Sequence, residues 1–272
     1  MITLFRSALL LLVLGFLAQQ VPAQYQDMTS KNACERRFLV GLNNFEPLAY
    51  REGGRLKGLA HDIVEVFKEK MGCQFIESDM ARPTAVDQMN HGRLDMLALM
   101  VKSSEYEGGG DFLPFYNSHR ELTVSKKSFV KGKKIEDYLA DDKIKFAYMI
   151  ANRSVITEAE EKSLLKASRL VGVPGPDDAF RLLREGRVQA VLFSAFVNTY
   201  HTQKHKMKDQ VETVVDHSKK VQVGVYLSKR RVSPSEKEMF EKALAEMKKD
   251  GSFLRVFSKY MSKEEALRRL EN

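Results

Sequence analysis

The chain has 272 residues, of which 43% are hydrophobic and 29% charged, with a formal net charge of +8 at pH 7. That length suits one large domain or two modest ones, and the apolar share is enough for real cores. Lys and Arg are scattered among Glu and Asp, and no basic run is interleaved with aromatics. The charge therefore reads as solvated surface, which excludes a nucleic-acid groove and leaves at most a bias toward anionic ligands.

Arg6 precedes the apolar run Ala8 to Ala18, and Val21-Pro22-Ala23 follows with small residues where a signal peptidase cuts. This order predicts a cleaved secretory signal over residues 1–23, hence a periplasmic protein. The run is short of the roughly 20 apolar residues that span a bilayer, so no membrane insertion is expected after cleavage. No Cys stands at the cleavage site, and Cys34 lies too far downstream to carry a lipid.

Strand and helix signals then alternate. Arg37 to Leu42 is a short apolar strand, and Leu59 to Met71 a helix with Ile63, Val64, Phe67 and Met71 on one face and Gly72 as its stop. Cys73 to Glu77 reads as a strand and Thr84 to His91 as a helix ended by Gly92. Leu94 to Val101 is another apolar strand. This βαβαβ order predicts a parallel sheet with helices on both faces. If the strands after Cys34 and Cys73 are parallel neighbours, both thiols lie at one sheet end. An oxidising compartment then favours a disulfide, with two buried free thiols as the alternative.

The pattern restarts at Lys145 to Ile150, a strand. Asn152-Arg153-Ser154 leads into a helix from about Ile156 to Ala167. Leu170 to Val173 is a strand, and Asp177 is expected to cap a helix stopped by Gly186. Val188 to Phe193 completes a second βαβαβ unit. The extended runs Arg120–Ser125 and Lys220–Ser228 flank it, each able to carry the chain between lobes. Ser233-Pro234-Ser235-Glu236 is a capping box with proline at the first helical position, opening a helix to about Lys249. A last helical stretch is expected over Phe253 to Tyr260.

Several segments resemble one family. Val40 to Tyr50 with Gly53 to Leu59 is similar to the opening of the amino-acid-type extracellular solute-binding proteins, family 3, which have the type II periplasmic binding fold. Gly92 to Leu97, Asp111 to Tyr116, Gly186 to Val191 and the tail Ala243 to Tyr260 resemble further family segments, in the family's order. The resemblance implies an α/β protein of two Rossmann-like lobes joined by a two-strand hinge. Lobe 1 would take residues 24–122 and 222–272, and lobe 2 residues 123–221. It implies a small ligand held between the lobes, an ABC transporter permease as partner, a monomer, and no cofactor.

The ligand residues depart from the family. Its α-amino-acid binders grip the carboxylate with an Arg in a "T-x-x-R" pattern. Here Ser103 opens that pattern and Tyr106 stands in the Arg position. Ser194 occupies the place of the Asp that holds the ammonium. A charge left unpaired in a closing cleft costs several kcal/mol, roughly, so a free α-amino acid is not the expected ligand. Substitute anchors for a polar, anionic solute are Arg153 with Ser154 at a helix N-terminus, and Arg82 and Lys102 near strand ends. Asn44 and Phe45 follow the first strand, where the family often stacks an aromatic on the ligand. Tyr50 and Tyr116 read as packing residues.

Chemistry of its own is not expected. No Ser/His/Asp order with a nucleophile elbow is present, nor a phosphate-binding Gly-rich loop. His201 and His205 have the i, i+4 spacing that shares a metal, but without a nearby third ligand and among lysines they read as surface residues, so no metal is expected. Glu105 and Asp111 form a faint acid/base pair. Relatives of the family include periplasmic dehydratases, which would use Glu105 as general acid, and modules that feed a sensor kinase instead of a permease.

Overall fold

In the structure, a computed structural model, Cys34, residues 36–149 and residues 155–270 are described. The expected signal over residues 1–23 lies outside them, as do Arg153 and Ser154. Among the described residues no helix is long and apolar enough to cross a membrane.

Strand β1 (Arg37–Asn43) runs parallel to β4 (Gln74–Met80) and to β5 (Met96–Val101), with β1 between them. β5 is buried along nearly its whole length, as a central strand covered on both faces must be. Helices α1 (Leu59–Met71) and α2 (Arg82–Asn90) make the crossovers. α1 matches its expected limits to the residue. Its apolar face (Leu59, Ile63, Val64, Phe67, Met71) is buried, and Gly72 caps it in the left-handed region at φ 67°. A hairpin, β2 (Tyr50–Glu52) with β3 (Arg55–Lys57), precedes α1.

Two long antiparallel strands follow, β6 (Gly110–Ser125) and β10 (Val211–Ser228), paired from Gly110↔Ser228 to Ser125↔Val211. At one end β10 joins β5; at the other, β6 joins β9 (Ala190–Leu192). β9, β7 (Phe146–Met149) and β8 (Leu170–Val173) are parallel, with β7 central, and repeat the order of the first unit. Both strands extend beyond the expected runs at residues 120–125 and 220–228. β6 runs on through Asn117-Ser118-His119, too polar to read as sheet. The ladder between the two strands breaks twice: Arg120 pairs with Asp216 and His119 with Lys220, leaving residues 217–219 as a bulge, and Val223 pairs with Tyr116 but Gly224 with Pro114, passing over Phe115.

Helices α4 (Glu158–Lys166), α5 (Pro176–Arg184) and α6 (Ala195–Lys204) belong to the second unit, with short α3 (Ile135–Ala140) before β7. Two expected helix starts are corrected. α4 begins at Thr157, whose hydroxyl accepts from the Glu160 N–H while Glu160 reaches back, so the apolar Ile156 stays outside the helix. α5 is capped by Gly175 with Pro176 first, so Asp177 lies inside its first turn and its side chain is directed elsewhere. Ser233 caps α7 (Pro234–Lys249) as its sequence predicts. The final stretch is two helices, α8 (Ser252–Phe257) and α9 (Lys263–Leu270); α9 is mostly polar and had no periodic apolar signal.

The cores divide as the sheet does. Phe38, Phe67, Phe75 and Phe240 stack at 5.2–6.1 Å between ring centres in the first unit. Phe146, Tyr138 and Leu164 form one core of the second, and Phe180, Phe193 and Val197 another. This is the mixed α/β, two-lobed fold that the sequence implies. Two aromatics cross between lobes: Phe45 packs against the Phe180 core, and Phe196 from α6 packs into the first lobe's core against Phe257. Cys34 and Cys73 are joined, with Cα atoms 5.0 Å apart, at the β1–β4 end where Arg37 faces Gln74.

Candidate functional site

The carboxyl ends of β1 and β5 face the start of α6 across the two long strands. In open α/β sheets ligands bind in that place, beyond strand ends and near helix N-termini. A narrow cavity of about 50 Å³ lies there, room for only a few water-sized bodies, so the lobes are drawn together. Asn43, Phe45 and Arg82 line it from lobe 1, Ser194, Ala195 and Phe196 from lobe 2, and Ser118, His119, Arg120 and Glu121 from the hinge.

Of the residues singled out by sequence, the structure brings Phe45, Arg82 and Ser194 to this cavity. Ser194 is the N-cap of α6; its carbonyl accepts from Asn198 and its hydroxyl makes no cap bond. Arg82 opens α2, its side chain 11% exposed and its guanidinium 2.8 Å from Glu105 Oε2. Asn44 is exposed, while Asn43, one residue earlier on the alternating strand, turns inward. The Asn43 Oδ1 and His119 Nδ1 are buried without a hydrogen-bond partner among the described residues. Sequence reading missed both, because nothing local distinguishes a strand polar facing a cleft from one facing water.

The remaining candidates lie apart from the cavity. Tyr106 is fully buried in a small core with Met89, Met100 and Tyr226, its ring 4.9 Å from that of Tyr226. Burial pushes its hydroxyl up to about 12. Arg82 covers it, with the guanidinium carbon 5.4 Å from the ring centre. Ser103 caps the 3₁₀ turn Ser104–Tyr106, and Tyr226 Oη bonds its backbone. Lys102 is exposed, its ammonium 6.0 Å from the Phe112 ring.

Charges deep in the cleft are matched from behind. Arg120 donates to Glu160 at 2.9 Å, to Glu136 at 3.1 Å and to the Val155 carbonyl at 2.6 Å. Arg269 of α9 reaches Glu121 at 2.5 Å and Thr199 of α6 at 2.8 Å. Across the outer edge, Glu46 of lobe 1 is clasped by α6: Tyr200 Oη donates to its carboxylate at 2.6 Å, Lys204 binds the other oxygen, and His201 Nε2 lies 2.9 Å from its carbonyl. The surface reading of the histidine pair is therefore corrected. His201 is fully buried and Asp177 stands beside both rings, a third side chain of metal-ligating type that separation in sequence concealed. Burial drives the His201 imidazole below its ordinary value, against the pull of the Glu46 carbonyl and Asp177.

Comparison with known proteins agrees with this architecture. Residues 39–263 match the model of the bacterial extracellular solute-binding proteins, family 3. The L-cystine-binding protein TcyA of Bacillus subtilis (strain 168) is 24% identical over 233 residues, covering 81% of this chain and 79% of that protein. Among solved structures, the arginine-, lysine-, histidine-binding protein ArtJ of Geobacillus stearothermophilus superposes with a TM-score of 0.68 at 19% identity, covering 87% of this chain and all of that one. A reconstructed ancestral cationic amino acid solute binding protein superposes at 0.67 with 20% identity, covering 83% of this chain and 96% of that one. With the match extending over most of its length, on a fold of two sheet-and-helix lobes meeting at a cleft, this chain belongs to the bacterial extracellular solute-binding proteins of family 3.

Proposed function

We propose that this protein captures a small polar, anionic solute in the periplasm and presents it to an ABC transporter permease. Two lobes, divided near residues 122 and 222 inside β6 and β10, would close on the solute and act as a monomer. The observation that carries the reading is Arg82. In the resemblance, Tyr106 stands where amino-acid binders place their carboxylate-gripping Arg, and Arg82 lies over the Tyr106 ring and lines the cavity. A guanidinium is thus supplied to the same part of the cleft from a different element. Its fork suits a carboxylate, sulfonate or phosphate. Ser194 opens α6 opposite, with unpaired backbone N–H groups that also favour an anion. Asn43 Oδ1 and His119 Nδ1 can accept from the solute's own donors. Lobe 2 offers Ser194 in place of an ammonium-binding Asp, which argues against the zwitterions that the named relatives take.

The reading assigns no catalysis. Glu105, the residue a dehydratase would use as acid, is engaged by Arg82, and prephenate and arogenate are expected to pass unchanged. The test is a thermal-shift screen of organic acids, sulfonates, phosphates and amino acids. A ligand at a hundredfold excess over Kd stabilises by about 2.7 kcal/mol. An organic anion should give such a shift in the wild-type protein, and Arg82→Met should lose most of it while keeping the unliganded Tm within a few degrees. Strong stabilisation by ordinary α-amino acids, undiminished in Arg82→Met, would overturn the anionic reading.

A further inference from the structure

α5 and α6 bring three side chains of metal-ligating type to one point outside the cleft cavity. Asp177 stands in the first turn of α5, and His201 and His205 are one turn apart on α6. Asp177 Oδ1 is 3.4 Å from His201 Nδ1 and 2.8 Å from His205 Nε2, and one ligand atom from each residue lies within 4.8 Å of the others. Lys204 takes the other carboxylate oxygen, Oδ2, at 2.9 Å, which leaves Oδ1 to the histidines.

The hydrogen bonding fixes the chemistry of His201. Its Nε2 is 2.9 Å from the Glu46 carbonyl oxygen. A carbonyl can only accept, so Nε2 carries a proton, and in the neutral ring Nδ1 presents a bare lone pair. That lone pair is fully buried, has no hydrogen-bond partner among the described residues, and faces a carboxylate oxygen. Asp177 itself is half exposed and also meets His205, so the unmet group is His201 Nδ1, and a buried acceptor left unpaired costs about 1–3 kcal/mol. A cation between Asp177 and His201 removes that penalty.

We infer that Asp177 Oδ1, His201 Nδ1 and His205 Nε2 form a three-residue binding site for a divalent transition metal, zinc being the best fit by ligand type. Two imidazoles and one carboxylate suit a tetrahedral ion with bonds of roughly 2.0–2.2 Å and water in the fourth position. The surroundings match what such sites require. The Glu46 carbonyl accepts the far N–H of His201, which sets tautomer and ring orientation. Phe180 stacks on both imidazoles, 5.5 Å from His201 and 5.8 Å from His205, as an apolar wall. Because Glu46 belongs to lobe 1, an ion held here would brace the lobe-2 half of a cross-lobe contact. The inference does not depend on which solute the cleft takes.

Calorimetric titration of the metal-stripped whole chain with ZnCl2 alone tests it. One zinc should bind per chain, and cobalt(II) in its place should show the intense visible bands of tetrahedral coordination. His205→Gln and Asp177→Asn, each on a partly solvated residue, should weaken zinc by tenfold or more and remove the bands. Both variants should keep a cooperative unfolding transition in the absence of metal. Nitrogen-15 imidazole spectra of the wild-type chain give a readout that needs no variant: zinc should move His201 Nδ1 and His205 Nε2. No binding up to millimolar zinc, equal binding in wild type and both variants, or shifts confined to another histidine such as His61 would each overturn the site.

Discussion

Arg120 and Glu121 are consecutive in β6, so the pleat sends them to opposite faces, and each buried charge is neutralised by a different partner set. Arg120 is held by Glu136 and Glu160 of lobe 2, and Glu121 by Arg269 of α9. Removing one member of such a pair strands the other, at a cost of about 3–5 kcal/mol. These two residues, although they line the cavity, are therefore already spent on structure, and Arg82 is the more available cation. His61 offers a separate pH test. Its bond to Glu77, 2.8 Å long, raises the imidazole above its ordinary value against partial burial. A raised folded-state value means the stabilisation is fully present below the unfolded value of about 6.5 and is lost as pH rises through the folded value. Urea unfolding should show a larger gap between wild type and Glu77→Gln at about pH 6 than at a pH above the raised folded value, where the imidazole has lost its proton in both states. A gap that does not change with pH would remove His61 from the account.

At the level of elements, what could be read in the sequence followed from periodicity and caps. α1 and α7 were legible because their apolar faces repeat at helical spacing and Gly72, Ser233 and Glu236 mark their ends. α9 was not, since its residues are mostly Lys, Glu and Arg and its place is set by Arg269 reaching back to β6. The central third of β6 was hidden for a similar reason: Asn117, Ser118 and His119 are polar because they face a cleft, which no local pattern reveals. The site was legible only where chemistry follows an element end. Phe45, Arg82 and Ser194 were found at the ends of strands or starts of helices, whereas Asn43 was missed by one step of strand parity and Asp177 was mistaken for a cap. The Cys34–Cys73 link closes a separation of 39 residues across the β1–β4 end. Reduction, or a paired replacement by Ser, should cost about 2–4 kcal/mol, read as a lower urea midpoint. An unchanged midpoint would mean the parallel pairing of β1 and β4 holds that edge without help.

For the whole molecule, if the lobes open and close as proposed, the balance would rest on contacts made only when they meet. Glu46 with Tyr200, Lys204 and His201 forms one set, and Phe45 and Phe196 form another. Tyr200→Phe removes a charge-assisted bond worth about 1.5 kcal/mol, a shift of roughly tenfold toward the open form. Distances between spin labels placed on the two lobes should lengthen in the solute-free variant. If the distribution matches wild type, the Glu46 contacts do not set the balance.

The bulge of residues 217–219 has a mechanical consequence. Apart from the one-residue skip at Phe115, β6 and β10 are otherwise laced together, and their ladder resists bending across the strands. At the bulge one strand has slack that the other lacks. Flexing should therefore be greatest near Arg120 and Asp216, where the slack is three residues against one at Phe115, as at the main crease of a folded card. A few degrees there sweep the far rims through many times the displacement seen at the crease, so the groove can gape widely while the two cores on either side keep their packing.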